Sequence, residues 1–336
     1  MQFSLLQVAA VSLAAIVVPQ NVKAPVAWLI EEVAFPEAVT AVVQIGDGVY
    51  ARAGEWYLVS PCPDTLLCIT PQEPILPEAP EDGIPDGRVA VAASGNGIQR
   101  AWYADPTERY AHGALGDIIE GGALIAEDVY GQRFTASLGP TDVFEDLTPR
   151  IVDIDGDGNN EIVTIRTSLR SGAQIAVYAI SGTRLIERAA TTPVGRANRW
   201  LNIAGIADFT GDGQLNIAIV KTPHIGGILE ILAWSRNELK LVDSADGFSN
   251  HVIGSTDQGL SAVGKVNDDR IPDLVLPDAQ RRSLRAVTAA GGRILDIAAI
   301  PLPAEVVTAI GVVSDAGKAI FATGLSDGSL VAVTRQ

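Results

Sequence analysis

One nine-residue frame recurs along this chain, and a short recurring unit constrains a fold more tightly than any other sequence feature. The clearest copy is DIDGDGNNE at 153–161, followed by the strand-like IVTIR. The second is DFTGDGQLN at 208–216, followed by IAIV, and the third is KVNDDRIPD at 265–273, followed by LVLP. A fainter copy is VVSDAGKAI at 312–320, and upstream AASGNGIQR at 92–100 and VQIGDGVYA at 43–51 fit the same frame. The frames begin at 43, 92, 153, 208, 265 and 312, giving spacings of 49, 61, 55, 57 and 47 residues.

Each full unit reads alike. An apolar strand enters the Gly-rich loop, a second leaves it, and a third and fourth follow, joined by a tight turn. In the 208 unit the expected strands are 203–207, 217–220, 229–233 and 239–242, with Arg236-Asn237-Glu238 turning. In the 153 unit they are 150–153, 162–166, 174–180 and 184–188, with Ser181-Gly182 turning. No long helical periodicity appears.

Four short strands per fifty residues predict an all-β fold, a β-propeller of four-stranded blades. Blades that cover one another on both faces need apolar inner strands. This accounts for a mean hydropathy of +0.24 beside only 19% charged residues. Six frames predict six blades, or seven if the N-terminal stretch hides another. The last unit reaches Gln336 after three strands, so its outer strand is expected from 26–43, which would close the ring and leave no unpaired edge. Residues 25–336 then form one domain, and the Pro-rich stretch 71–87 is a surface excursion rather than a linker.

The frame D-x-D-x-D-G-x-x-E suits a hard cation. Calcium takes six to eight oxygens, and alternate side chains of a tight loop converge on one centre. Gly at the sixth position allows the sharp turn. The best copy offers Asp153, Asp155, Asp157 and Glu161, with the Asn159 carbonyl between them; the alternative is a plain acidic hairpin turn. The next offers Asp208, Thr210, Asp212 and Asn216 with the Gln214 carbonyl, so with two carboxylates it should bind more weakly. In the third, Lys265 takes the first position beside Asn267, Asp269 and Asp273, and its ammonium is expected to pair with those carboxylates in place of a metal. The frames at 43, 92 and 312 lack ligands. Calcium is thus the expected cofactor, with four loops metal-free.

DIDGDGNNEIVTIR and ADFTGDGQLNIAIV resemble FG-GAP (VCBS-type) repeats of bacterial exported proteins and integrin α-subunit propellers. The resemblance spans about 40–333, is specific in two repeats and partial in the third. It implies a propeller with calcium in the loop joining the first two strands of a blade. It also implies extracytoplasmic location and adhesion or ligand binding, and it implies no reaction.

The N-terminus agrees with export. Residues 5–18 are nearly all apolar, too few to span a ~30 Å hydrocarbon core comfortably, and Val22-Lys23-Ala24 offers small residues for cleavage. Residues 1–24 read as a signal peptide, with an uncleaved anchor as the alternative. No later segment has 18 uninterrupted apolar residues, so no membrane span is expected in the mature chain. Cys62 and Cys68, in CPDTLLC, are expected to form one small disulfide outside the cytoplasm, with two buried thiols as the alternative. The expected location is periplasmic or secreted.

With 24 Lys+Arg against 40 Asp+Glu, the formal charge is -16, which excludes nucleic acid as a natural partner. In a propeller the loops joining second to third strands share one face with the blade-to-blade connections, opposite the frames. All three histidines, His112, His224 and His251, fall in that set. So do Arg109, Arg170, Arg196, Arg199, Arg281 and Arg282, with Tyr110, Phe144, Trp200 and Phe248. Cationic and aromatic residues gathered at one end of an acidic protein predict a site for a small anionic or sugar-like ligand, or for a protein partner.

Three readings follow: a calcium-stabilised binding propeller without catalysis, an exported propeller hydrolase or lyase, or a structural, adhesive module. A pocket holding the three histidines and a carboxylate would favour catalysis, and a shallow aromatic-rimmed surface would favour binding. There is no G-x-S-x-G, Walker loop or H-E-x-x-H. The adjacent Glu145 and Asp146 are expected to be a solvated acidic pair rather than an acid/base couple.

Overall fold

A computed structural model describes residues 27–336; the expected signal segment, 1–24, lies outside them. Among the described residues every regular element is a β-strand. After β1 (Trp28–Val33), strands β2 (Ala41–Ile45), β3 (Gly48–Ala53), β4 (Glu55–Pro61) and β5 (Leu67–Pro71) form a four-stranded antiparallel sheet. Next come β6 (Ala90–Val91), β7 (Asn96–Thr107), β8 (Glu120–Asp128) and β9 (Arg133–Ser137), then β10 (Asp142–Phe144). Then follow β11 (Arg150–Val152), β12 (Asn159–Ser168), β13 (Gly172–Ser181) and β14 (Arg184–Ala190). These last two meanders are joined because β10 pairs with both β8 and β12.

Two further four-stranded sheets are β15 (Leu201–Ala207), β16 (Asn216–Lys221), β17 (Ile228–Trp234), β18 (Leu239–Asp246), and β19 (Ala262–Gly264), β20 (Asp273–Pro277), β21 (Ser283–Thr288), β22 (Leu295–Pro301). The last contains β23 (Val306–Asp315), β24 (Lys318–Leu325) and β25 (Leu330–Arg335). Its outer strand is β1, antiparallel to β25 from Trp28↔Arg335 to Val33↔Leu330. The architecture is propeller-like: four-stranded antiparallel units, each opened by one copy of the frame in its first hairpin.

The sixth frame position explains why the repeat persists where its letters fade. Gly97, Gly158, Gly213 and Gly317 have φ of 70°, 90°, 85° and 84°, and Arg270 takes the same place with φ 54°. That left-handed turn is free for Gly and strained for Arg. The turn therefore belongs to the hairpin, whether or not the loop has carboxylates.

Sheets meet through small residues on inner strands. A Cβ on Gly311 would stand 2.4 Å from Val49, one on Gly264 3.1 Å from Phe321, and one on Gly205 2.5 Å from Val263. Each glycine makes room for a side chain of the neighbouring sheet. On the other side, Leu201, Ile203 and Ile217 join the cluster built on Ile165 and Ile175. Burying such aliphatic side chains contributes about 1.5–3 kcal/mol each.

The expected strands of the 153 and 208 units are all present. The short β10 lies inside a stretch that reads as connection, because three residues carry no alternation signal. Cys62 and Cys68 are disulfide-bonded across the β4–β5 hairpin.

Candidate functional site

The frames share one construction. Their second residue is apolar and buried: Ile154, Phe209 and Val266. Its amide donates to the side chain at the ninth position: Ile154 to Glu161 (3.1 Å), Phe209 to Asn216 (3.0 Å), Val266 to Asp273 (3.0 Å). The first residue does similar work. Asp153 accepts from the Gly156 and Gly158 amides, and Asp208 from those of Gly211, Asp212 and Gly213. Much of the acidic pattern therefore builds the turn itself.

The best copy still has more charge than the turn needs. Oxygens of Asp153, Asp155 and Glu161 lie within 4.8 Å of one another. Burial, and then the charges of Asp155, Asp157 and Asp153, push the Glu161 carboxyl up to about 7. Arg188, 3.9 Å from Asp155, offsets only part of this repulsion, and the hard oxygen donors fit a divalent cation. Asp157 instead bonds to the Asn159 amide at 2.8 Å. Among the described residues neither of the other two candidate frames forms such a group. Lys265 does not pair with its neighbours as expected: it is exposed, and Asn267 bonds to Asp273 (3.2 Å) while Asp269 caps the Ile271 amide. A long flexible ammonium in solvent gains little from a surface pair.

The three histidines come together on the opposite face. His112, in the β7–β8 loop, sets Nδ1 at 2.5 Å from Glu145 Oε1. Thr167 donates to the other oxygen of that carboxylate at 2.7 Å. His224, in the β16–β17 loop, and His251, after β18, meet at 2.8 Å. Trp200 ties the two groups together. Its indole N–H donates to the Glu145 carbonyl (3.0 Å), and its ring lies parallel to His224 and edge-on to His251. Burial, and then the charges of His112 and Arg281, hold the His224 imidazole down at about 4.

Glu145 and Asp146 are not solvated; both side chains are fully buried. They point into different networks. Burial raises the Glu145 carboxyl, and His112 opposes that rise. Asp146 accepts from the Leu147 amide (3.0 Å), Gln258 (3.0 Å) and Tyr103 (2.8 Å), and it pairs with Arg150. Close by, Glu120 at the start of β8 is only 3% exposed. Burial, followed by the charges of Glu145, Asp117 and Asp146, pushes it up to about 9. It is a neutral acid at pH 7. The single glutamate heading the otherwise uncharged GGALIA was the available sign of it.

The expected ligand residues divide into two groups. Tyr110, Trp200 and His251 are buried, as are Phe144 and Phe248, so no aromatic rim exists there. Tyr110 accepts from the Asn198 amide at 2.8 Å. Arg281 bonds to the Val306 carbonyl and Glu305, Arg282 lies 3.7 Å from Glu305, and Arg199 bonds to the Asn198 carbonyl. Arg170 and Arg196 are exposed. Arg109 holds buried Nε and Nη2 with no acceptor.

Beside this cluster opens a cavity of about 1040 Å³, walled by the first strands β2, β11 and β15 and by 256–261. Leu147, Arg150 and Gln258 line it. The Asp146 network thus reaches the cavity wall, while the neighbouring Glu145 holds the histidine side.

No family model matches the chain, and no curated protein matches it. Among solved structures it is similar to an exotype rhamnogalacturonan lyase, YesX, at 16% identity and a TM-score of 0.41. That match covers 82% of this chain, which spans 60% of the lyase's length.

Proposed function

We propose that this protein is an extracytoplasmic propeller of six blades, closed by β1, that performs acid–base chemistry at its histidine-bearing end. The observation that carries this reading is the His112–Glu145 pair, with a second carboxyl, Glu120, kept protonated beside it. A buried acid that keeps its proton close to an imidazole–carboxyl pair can serve as general acid to that imidazole's general base.

Glu145 accepts a hydrogen bond from Nδ1–H of His112, which leaves Nε2 to accept a proton. The buried carboxylate then stabilises the imidazolium. With its side chain 13% exposed, His112 can be reached from solvent. Glu120 donates to a departing oxygen. The substrate class is carbohydrate or phosphorylated compound, cleaved by elimination or hydrolysis. Calcium, held by Asp153, Asp155 and Glu161, would neutralise the β11–β12 loop on the far face and take no part in the chemistry. The frames support membership of the FG-GAP type of repeat, and the Cys62–Cys68 bridge is compatible with the proposed compartment.

The test is turnover of uronic-acid polysaccharides, neutral polysaccharides and phosphate monoesters, with His112→Gln and Glu120→Gln as variants. The expected result is activity on one class, lost about a hundredfold or more in each variant. Wild-type protein inert toward all three classes, or variants as active as wild type, would refute it. A second reading, binding without chemistry, is favoured by the stitching of this end: Asn202 donates to the Asn250 and Gln258 carbonyls, and His251 to the Ser255 carbonyl.

A further inference from the structure

The cavity beside the histidine cluster carries two guanidinium groups that the fold leaves without carboxylates. Arg52, on β3, is exposed and forms no ion pair, although the chain has 40 acidic residues. The guanidinium of Arg88, just before β6, bonds to the carbonyl of its neighbour Gly87, at 2.8 Å, and among the described residues to no carboxylate. Both line the cavity. Most other arginines here are paired: Arg100 with Glu78 and Glu127, Arg166 with Glu187, Arg285 with Asp296, Arg335 with Asp268.

The surroundings sharpen the contrast. Arg150, the third guanidinium of the lining, is taken up by buried Asp146. Of the two lining carboxylates, Asp257 accepts from the Gly259 (2.9 Å) and Ala309 (2.6 Å) amides. Asp86 sits exposed at a turn with φ 58° and pairs with neither arginine. Trp56 stands directly opposite Arg52 across the β3–β4 ladder, so the two side chains share a sheet face, and Trp56 also lines the cavity. An aromatic ring beside a free guanidinium offers a flat apolar surface and a fork of donors together.

We infer that this cavity is a binding site for a ring-shaped ligand bearing a carboxylate, sulfate or phosphate, with Arg52 and Arg88 holding the anion and Trp56 packing on the ring. Guanidiniums without carboxylate partners favour an anion there by bidentate, charge-assisted hydrogen bonds. The site rests on the propeller ring proposed above but not on chemistry at His112. It differs from the arginines of the histidine-side loops, which the fold has largely engaged or left on the outer surface.

The experiment is calorimetry and tryptophan fluorescence on the full chain with galacturonate, inorganic sulfate and inorganic phosphate as probes, and neutral galactose as control. Galacturonate should bind, galactose should not, and affinity should fall as sodium chloride rises. Arg52→Gln and Arg88→Gln should each weaken binding about tenfold or more. Trp56→Phe should remove the fluorescence change, and His112→Gln should bind as wild type does. Binding of sulfate or phosphate without galacturonate would overturn the ring-packing role of Trp56. No binding of any anion, equal binding of galactose, or arginine variants that bind like wild type with unchanged melting curves would overturn the site altogether.

Discussion

His224 donates its Nε2 proton to Nδ1 of His251 across 2.8 Å, and the direction of that bond is dictated one residue further on. His251 Nε2 lies 3.0 Å from the Ser255 carbonyl, which can only accept, so Nε2 carries the proton and Nδ1 does not. Burial, then the neighbouring His224, holds His251 down at about 3. Both rings are therefore neutral at pH 7, and His224 is left with a bare Nδ1 against Trp200.

This pair predicts a specific acid sensitivity. Unfolded histidines protonate near 6.5, while these protonate only near 4 and 3 in the folded chain. Between those limits the unfolded state binds more protons, so stability falls as pH drops from about 6.5 and the loss levels off below about 3. A melting-temperature profile should show this slope. His224→Gln should flatten the part between about 6.5 and 4. An unchanged profile would mean that the rings titrate freely.

The β11–β12 loop predicts calcium binding at one principal site. Glu161 is raised to about 7, so its penalty accrues as pH rises from the ordinary carboxyl range through 7, and a cation removes it. Calcium should therefore raise the melting temperature more at pH 8 than at pH 5, and a hundredfold excess over Kd should contribute about 3 kcal/mol of stability. Asp155→Asn should abolish most of that gain. Calorimetry showing no uptake, or several equal sites, would contradict it.

The pairing of β1 with β25 predicts that damage to the first described strand destabilises the last. Leu29 pairs with Thr334 on β25, in register with the Gln336 amide that donates to the Ala27 carbonyl. Leu29→Pro removes a ladder donor and should cost about 2 kcal/mol in a urea melt. Full wild-type stability in that variant would show that the outer strand is dispensable and that the ring does not depend on it.

Much of this molecule was legible in adjacent residues. The left-handed turn at Gly158 and Gly213, the buried anchor at Ile154 and Phe209, and the alternation of their flanking strands are local, so nine letters specify each hairpin. Conversely, Glu145 and Asp146 read as surface acids. Nothing within a few residues of them indicates that Thr167 and His112 will satisfy one, and Tyr103, Arg150 and Gln258 the other.

The sequence by itself determined the repeat, the strand-rich units, the acidic loop and which loops share an end, because backbone turn chemistry and period-two burial act between near neighbours. Only the tertiary structure decided that Asp146 meets Gln258, 112 residues away, and that Arg52 and Arg88 lack carboxylates. Those outcomes depend on how the sheets pack against one another. Packing turns a list of charged loops into particular partners, and leaves particular charges without one.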